Sequence, residues 1–165
     1  MQATGLPAAF EFRLPARWAP ASGPEGAAPQ ARFVALNVAT AGCGFTANIT
    51  VDGVFRADVD TLPEIADESV AALRQVSPDL TVVDRGELGD PADPGFVQQL
   101  RMTAVVNGAV WDVLQSQVYI STRAAGGQQA QTVVRAVLTC TVSQFSSMVG
   151  DFDEFLATLR FAPDS

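Results

Sequence analysis

Two hydrophobic periods alternate along this chain, and their order predicts its architecture. In FEFRL the apolar residues Phe10, Phe12 and Leu14 fall on one face, the two-residue alternation of a half-buried strand, and Pro15 ends it. Residues 19–29, APASGPEGAAP, have no period and read as a loop. ARFVALNVAT follows as a second strand carrying Phe33 and Ala35, and a turn at 41–44 leads into FTANITVDGV. There Phe45, Ala47, Ile49 and Val51 share one face, and Thr46, Asn48, Thr50 and Asp52 share the other. The period then lengthens. In TLPEIADESVAALRQV, Leu62, Ile65, Ala66, Ser69, Val70, Leu73 and Val76 recur at helical spacing. Thr61 and Glu64 form a capping box, Pro63 suits the first turn, and Pro78 stops the helix.

The second half returns to strands. Leu80–Leu88 reads as one, and GDPADPG after it as a loop. VQQLRMTAVV and AVWDVLQSQVYI flank Asn107-Gly108, the pair that supplies both positive φ values of a type I′ turn. A two-residue loop sets Ala104 opposite Trp111, Met102 opposite Val113 and Leu100 opposite Gln115. The apolar face then switches to Leu114, Val118 and Ile120, which a bulge near Leu114 would explain. A Gly-Gly turn near Gln128 leads to the last long strand, VVRAVLTCTV. FSSMVGDFDEFLATLRF closes the chain as a helix with Phe152, Phe155, Leu156 and Leu159 as its stripe. Asp151 is its expected cap, with Glu154 completing a box. Three strands, a helix, four strands and a helix predict an α+β fold. The expected form is a largely antiparallel sheet of about six or seven strands sandwiched by helices, not a doubly wound parallel sheet.

Composition narrows the function. At 165 residues the chain is expected to be a single domain, 1–165, with a core from about 10 to 161 and tails at 1–9 and 162–165. Such a domain buries roughly 70% of its unfolded surface, enough to hold together without metal or disulfide. Apolar residues make up 48% and charged residues 17%, which excludes a disordered chain. A net charge of −8 argues against nucleic acid and against an anionic membrane surface. The absence of histidine removes Ser-His-Asp and Cys-His catalysis and imidazole metal sites. Two cysteines are too few for structural zinc. A Cys43–Cys140 disulfide is disfavoured, and buried free thiols are the expectation. No run is long enough to span a bilayer, and MQATGLPAAFEF lacks the basic and apolar segments of a leader. The expected compartment is therefore the cytoplasm, or an exported location if a leader has been removed.

No constellation of catalytic residues stands out, and no metal site or cofactor is expected. Asp58/Asp60, Asp90/Asp93 and Asp151/Asp153/Glu154 lack the ligand spacing of a calcium loop and read as helix-end or solvated charge. Trp18 is expected to cover one end of the core. Trp111, just past the hairpin turn, suits packing or partner contact. Gln115, Gln117 and Tyr119 share a strand face, either solvated or a recognition surface where amides bind a peptide backbone or small ligand. Asn48 lies in a formal Asn-Ile-Thr glycosylation triplet, but mid-strand, and reads as a polar-face residue. The candidate binding residues are therefore Trp111, Gln115, Gln117, Tyr119 and Asn48. The Phe-rich second helix, with Phe145 and Met148 before it, reads as core or as one wall of an apolar groove.

Several of these features come in a familiar order. They are LPARW at Leu14–Trp18, the pattern Phe-x-x-Asn-Ile-x-Val from Phe45 to Val51, one central helix, an Asn-Gly hairpin carrying Gln115-x-Gln117, and a last helix ending in Leu159-x-Phe161. From about Phe10 to Phe161 the chain resembles the LpqN-type family of actinobacterial proteins. That family lies in the PsbP-like superfamily, with the Ran-binding Mog proteins and the Eag-type chaperones of type VI secretion effectors. The resemblance implies a PsbP-like α/β/α sandwich and a binding, chaperone or assembly module with no catalytic residues. The sequence lacks the lipidation cysteine of lipoprotein members near its start, so membrane anchoring does not carry over. The expected function is a non-enzymatic binding or adaptor domain recognising a protein partner in secretion or envelope processes. The alternative is a small-ligand carrier with a pocket between sheet and helix.

Overall fold

The computed structural model describes residues 2–3, 10–21, 33–56, 62–89, 94–106, 108–123 and 131–161. In chain order these form β1 (Gln2–Ala3), β2 (Phe10–Glu11), β3 (Trp18–Pro20), β4 (Phe33–Asn37), β5 (Asn48–Arg56) and α1 (Leu62–Arg74). They continue with β6 (Thr81–Gly89), β7 (Pro94–Val106), β8 (Ala109–Arg123), β9 (Gln131–Thr141), α2 (Phe145–Thr158) and β10 (Arg160–Phe161). Among the described residues, seven strands build one sheet in the order β3-β4-β5-β9-β8-β7-β6. Every pairing in it is antiparallel. This is the expected α+β class. The short strands β1, β2 and β10 form a second small sheet.

The two helices take opposite faces of the main sheet. On one face, Met148, Phe152 and Phe155 of α2 pack on Ile49, Val51, Ala136 and Leu138. On the other, Leu62, Ile65 and Ala66 of α1 meet Phe96, Tyr119 and Val133, and farther along Val70 meets Leu100, Met102 and Val113. Burial from both sides explains why the strands carry apolar runs as well as alternation, since Val133 faces α1 while its neighbour Val134 faces α2. No helix of the described residues is long and apolar enough to cross a membrane.

Several expectations are corrected. FEFRL contributes a ladder only at Phe10–Glu11, and that ladder belongs to the small sheet. Phe12 turns away from it to place its ring 4.7 Å from Phe33 and 5.3 Å from Phe155. One edge strand of the main sheet is instead β3, which starts at Trp18 and runs into the segment read as a loop. Phe45 does not share a face with Ile49 and Val51. It precedes the strand and joins the core under α1, because the chain becomes regular only at Asn48. Ala104 faces Trp111, Met102 faces Val113 and Leu100 faces Gln115, as the Asn-Gly spacing predicts, but no bulge lies at Leu114. The register runs unbroken from Gly95↔Ile120 to Val106↔Ala109. The apparent switch of apolar face reflects burial on both sides of β8. The irregularity lies between β6 and β7, at Val82/Asp84.

The last helix starts earlier than expected. Gln144 stands at its N-cap, and the turn before it closes through Thr141, whose backbone N–H donates to Gln144 Oε1 while the Gln144 N–H donates to Thr141 Oγ1. Asp151 therefore sits within α2 and forms no capping box with Glu154. Val76 lies beyond the end of α1 and is 78% exposed. Thr61 of the expected box, Asn107, the Gly-Gly turn near Gln128 and the pairs Asp58/Asp60 and Asp90/Asp93 lie outside the described residues.

Candidate functional site

One register row crosses the sheet beneath α1. Asp52 on β5 pairs with Arg135 on β9, Arg135 with Tyr119 on β8, and Tyr119 with Phe96 on β7. Cross-strand partners project from the same face, so three polar side chains line up under the helix. Arg135 Nε and Nη2 donate to Asp52 Oδ1 and Oδ2 at 3.1 and 2.7 Å, a bidentate fork. Its Nη1 reaches Ser69 Oγ on α1 at 3.1 Å. Burial alone would lower the Arg135 pKa, but the hydrogen bonds and charge of Asp52 outweigh it and raise the value. The guanidinium stays charged.

A second row lies one step along. Gln117 on β8 pairs with Gln98 on β7, and Gln98 with Arg85 on β6. Gln98 is fully buried and Gln117 almost so. Gln98 Nε2 donates to Gln117 Oε1 at 2.7 Å and to the Ala66 carbonyl of α1 at 3.2 Å. Arg85 Nε donates to Gln98 Oε1 at 3.1 Å, and its Nη2 to Asp67 Oδ1 on α1 at 2.7 Å. Tyr119 Oη donates to Gln117 Oε1 at 2.7 Å, and Gln117 Nε2 donates to Gln115 Oε1 at 2.8 Å. Burial pushes the Tyr119 phenol above its ordinary value, against opposing bonds with Ser69, Arg135 and Gln98. Its hydroxyl therefore keeps its proton and donates it to the relay.

Above the first row an open cleft of about 300 Å³ separates α1 from the sheet. Ile65, Glu68, Ser69 and Ala72 form its helix side. Tyr119, Val133 and Arg135, with Asp52 and Gly53 of β5, form the sheet side. Among the described residues, no group of three or more cysteine or acidic side chains is placed to hold a metal ion.

The candidate residues named from sequence all lie on the α1 side of the sheet, but not together. Tyr119 lines the cleft, with Gln117 in the row beside it and Gln115 beyond. Gln115 pairs with Thr139 and Thr139 with Asn48, so Asn48 stands two strands away, its Nδ2 donating to the Thr46 carbonyl at 3.3 Å. Trp111 lies toward the hairpin end, its ring 6.0 Å from Phe45, in the core formed with Val70. Gln98 ties helix to sheet, and Gln117 and Gln115 extend its network along β8. Sequence reasoning missed Asp52, Ser69, Gln98 and Arg135, because the ion pair spans 83 residues and appears only once β5 and β9 are in register.

Other named residues are accounted for by packing. Trp18 is buried and its Nε1 donates to Asp151 Oδ2 at 2.9 Å. Met148, Phe152 and Phe155 are buried, with Phe145 and Leu156 packed against them, so the Phe-rich stripe is taken up by the core. Cys43 and Cys140 are both free, and Cys43 is exposed, contrary to the expectation that both are buried.

Solved structures share this arrangement of sheet and helices. LpqN of Mycobacterium tuberculosis, described as involved in cell envelope biogenesis, superposes with a TM-score of 0.66 at 12% identity, over 99% of this chain and 90% of that one. The cyanobacterial PsbP of Synechocystis gives 0.61 at 14% identity, over 93% and 86%. The fold is PsbP-like. The Ran-binding protein Mog1p of Saccharomyces cerevisiae shares it as well, at a TM-score of 0.55 and 14% identity, over 92% and 89%. No protein-family model matches this sequence, and no curated protein matches it. At these identities the likeness is one of fold, so the chemistry of this PsbP-like domain is argued from its own cleft.

Proposed function

We propose that this chain is a non-enzymatic binding or adaptor domain of the LpqN type, acting as one PsbP-like unit that recognises a protein partner in envelope or secretion processes. The observation that carries this reading is the cleft under α1, whose Asp52–Arg135 pair is already matched internally. Such a site offers hydrogen bonds and apolar wall. It offers no activated nucleophile, since burial holds the Tyr119 phenol protonated and no imidazole exists in the chain to act as base. The neighbours support it by analogy of fold, LpqN through its envelope role and Mog1p through its protein partner.

A photo-cross-linking amino acid at Ala72, on the cleft's rim, tests the proposal in an actinobacterial host. The expected product is a single stoichiometric protein adduct. A second reading, a small-ligand carrier, is favoured by the volume of the cleft between sheet and helix. No protein adduct, together with a small molecule retained in native mass spectrometry, would replace the first reading with the second.

A further inference from the structure

We infer that the cleft under α1 takes a neutral amide flanked by aliphatic groups, and that this is how it grips a peptide segment of its partner. The inference rests on the reading of the cleft as a binding site and specifies the chemistry of its occupant.

Charge comes first. Both oxygens of Asp52 accept from Arg135, and the guanidinium is neutralised by that fork. An anion entering the cleft would have to compete with a carboxylate already in bidentate contact. A cation would meet the Arg135 charge and would have to draw the Asp52 carboxylate away from it. Displacing either partner leaves the other partly buried and unpaired, which is costly. A neutral occupant incurs neither cost.

The remaining hydrogen-bonding groups then set the pattern. Arg135 has five N–H groups, and Asp52 and Ser69 account for three of them. That leaves two for the Tyr119 oxygen and the cleft. Ser69 Oγ accepts from Arg135 and turns its own hydrogen to the Tyr119 oxygen, so the free donor of the cleft is the guanidinium. The Tyr119 oxygen is taken up by its own bonds, but each Asp52 oxygen keeps a lone pair beyond the one Arg135 uses and can still accept. The cleft therefore presents donors beside acceptors a few ångströms apart. A peptide group, with its C=O and N–H, answers both.

The walls decide between an amide and a polyol, which could also donate and accept. Ile65, Ala72 and Val133 line the cleft along with the Tyr119 ring. A polyol would press hydroxyls against these surfaces without partners, at a cost for each. An amide with an aliphatic substituent buries carbon there instead.

The test uses the folded chain labelled with 15N and titrated with N-acetyl-leucine methylamide. The expected result is chemical-shift change concentrated at residues 65–72, 119 and 133–135, saturating with a Kd of about 1 mM for a probe this small. Ala72→Trp fills the mouth from an exposed helix position and should abolish the shifts while the melting temperature holds. Tighter binding of a blocked leucine-containing tripeptide supports a polypeptide source. Binding of the single-residue amide alone supports the amide chemistry with a free small molecule as its source. Saturable shifts with acetate, methylammonium or sorbitol in place of the amide overturn the inference, as does the absence of any shift at these residues. A partner cross-linked elsewhere and unaffected by Ala72→Trp leaves the adaptor reading standing and removes this one.

Discussion

Gln98 and Gln117 bond to each other at 2.7 Å across neighbouring strands, and each also holds something beyond its own sheet position. Gln98 carries the α1 backbone at Ala66, and Gln117 carries the hydroxyl of Tyr119. Gln117→Leu keeps most of the volume but orphans two buried donor hydrogens, one of the two on Gln98 Nε2 and that of Tyr119 Oη. Each orphan costs about 1–3 kcal/mol, so the variant should lose roughly 2–6 kcal/mol in urea denaturation. Adding Tyr119→Phe removes one orphan and should recover part of that loss. A single-variant cost within experimental error of zero would show that the relay is not holding helix to sheet.

A second long-range contact ties the edge of the sheet to α2. Trp18 Nε1 donates to Asp151 Oδ2 at 2.9 Å, between residues 133 positions apart. Trp18→Phe retains an aromatic ring in the core and leaves the carboxylate without its donor. The expected cost is about 1.5–3 kcal/mol, the range for hydrogen bonds to a charged group. Asp151→Asn keeps an acceptor and should cost less than half as much. Equal losses in the two variants would mean that packing alone matters at this corner.

The sequence pattern carried the architecture further than the site. Helical spacing identified both helices, alternation pointed to strands, and Asn107-Gly108 fixed the β7–β8 register to the residue, because a two-residue turn leaves no freedom in pairing. Short edge elements were misread: β3 carries a proline and too few residues for any period to show. The start of α2 was also misread, because Asp151 resembles a cap while the actual turn is closed by Thr141 and Gln144. The glutamine stripe was visible, but its burial was not. A glutamine on a strand looks the same whether it meets solvent or a helix backbone, and only the placement of α1 over β7 and β8 decides. Asp52 and Arg135 were illegible for a related reason, since their meeting depends on β9 inserting between β5 and β8.

Gly44 and Trp111 form a contact that admits no side chain. Gly44 has φ +90°, and a Cβ there would stand 2.9 Å from Trp111 Cζ2. Gly44→Ala combines backbone strain with displacement of the indole from its place beside Phe45. The expected cost is about 1–3 kcal/mol, accompanied by a red shift of the Trp111 emission, read in a Trp18→Phe background. An unshifted spectrum with unchanged stability would show that this turn tolerates a side chain.

The two thiols should differ sharply in reactivity. Cys43 is exposed, whereas Cys140, on β9, is fully buried in the core on the α2 side of the sheet. Burial pushes the Cys140 thiol from 9.0 up to about 12, so at pH 8 it is neither accessible nor ionised. A disulfide reagent should therefore titrate one equivalent in the native protein and a second only on unfolding. The same shift sets a pH dependence. The native state keeps this proton while the unfolded chain releases it above pH 9.0, so stability falls as pH rises from about 9.0 towards about 12. Tyr119, whose value is also raised by burial, adds to the fall in the same direction. Cys140→Ala should reduce the alkaline slope by up to one proton while leaving the slope below pH 8 unchanged. Prompt labelling of both thiols in the native state would contradict the burial of Cys140, and an unaltered alkaline slope would assign the dependence to other groups.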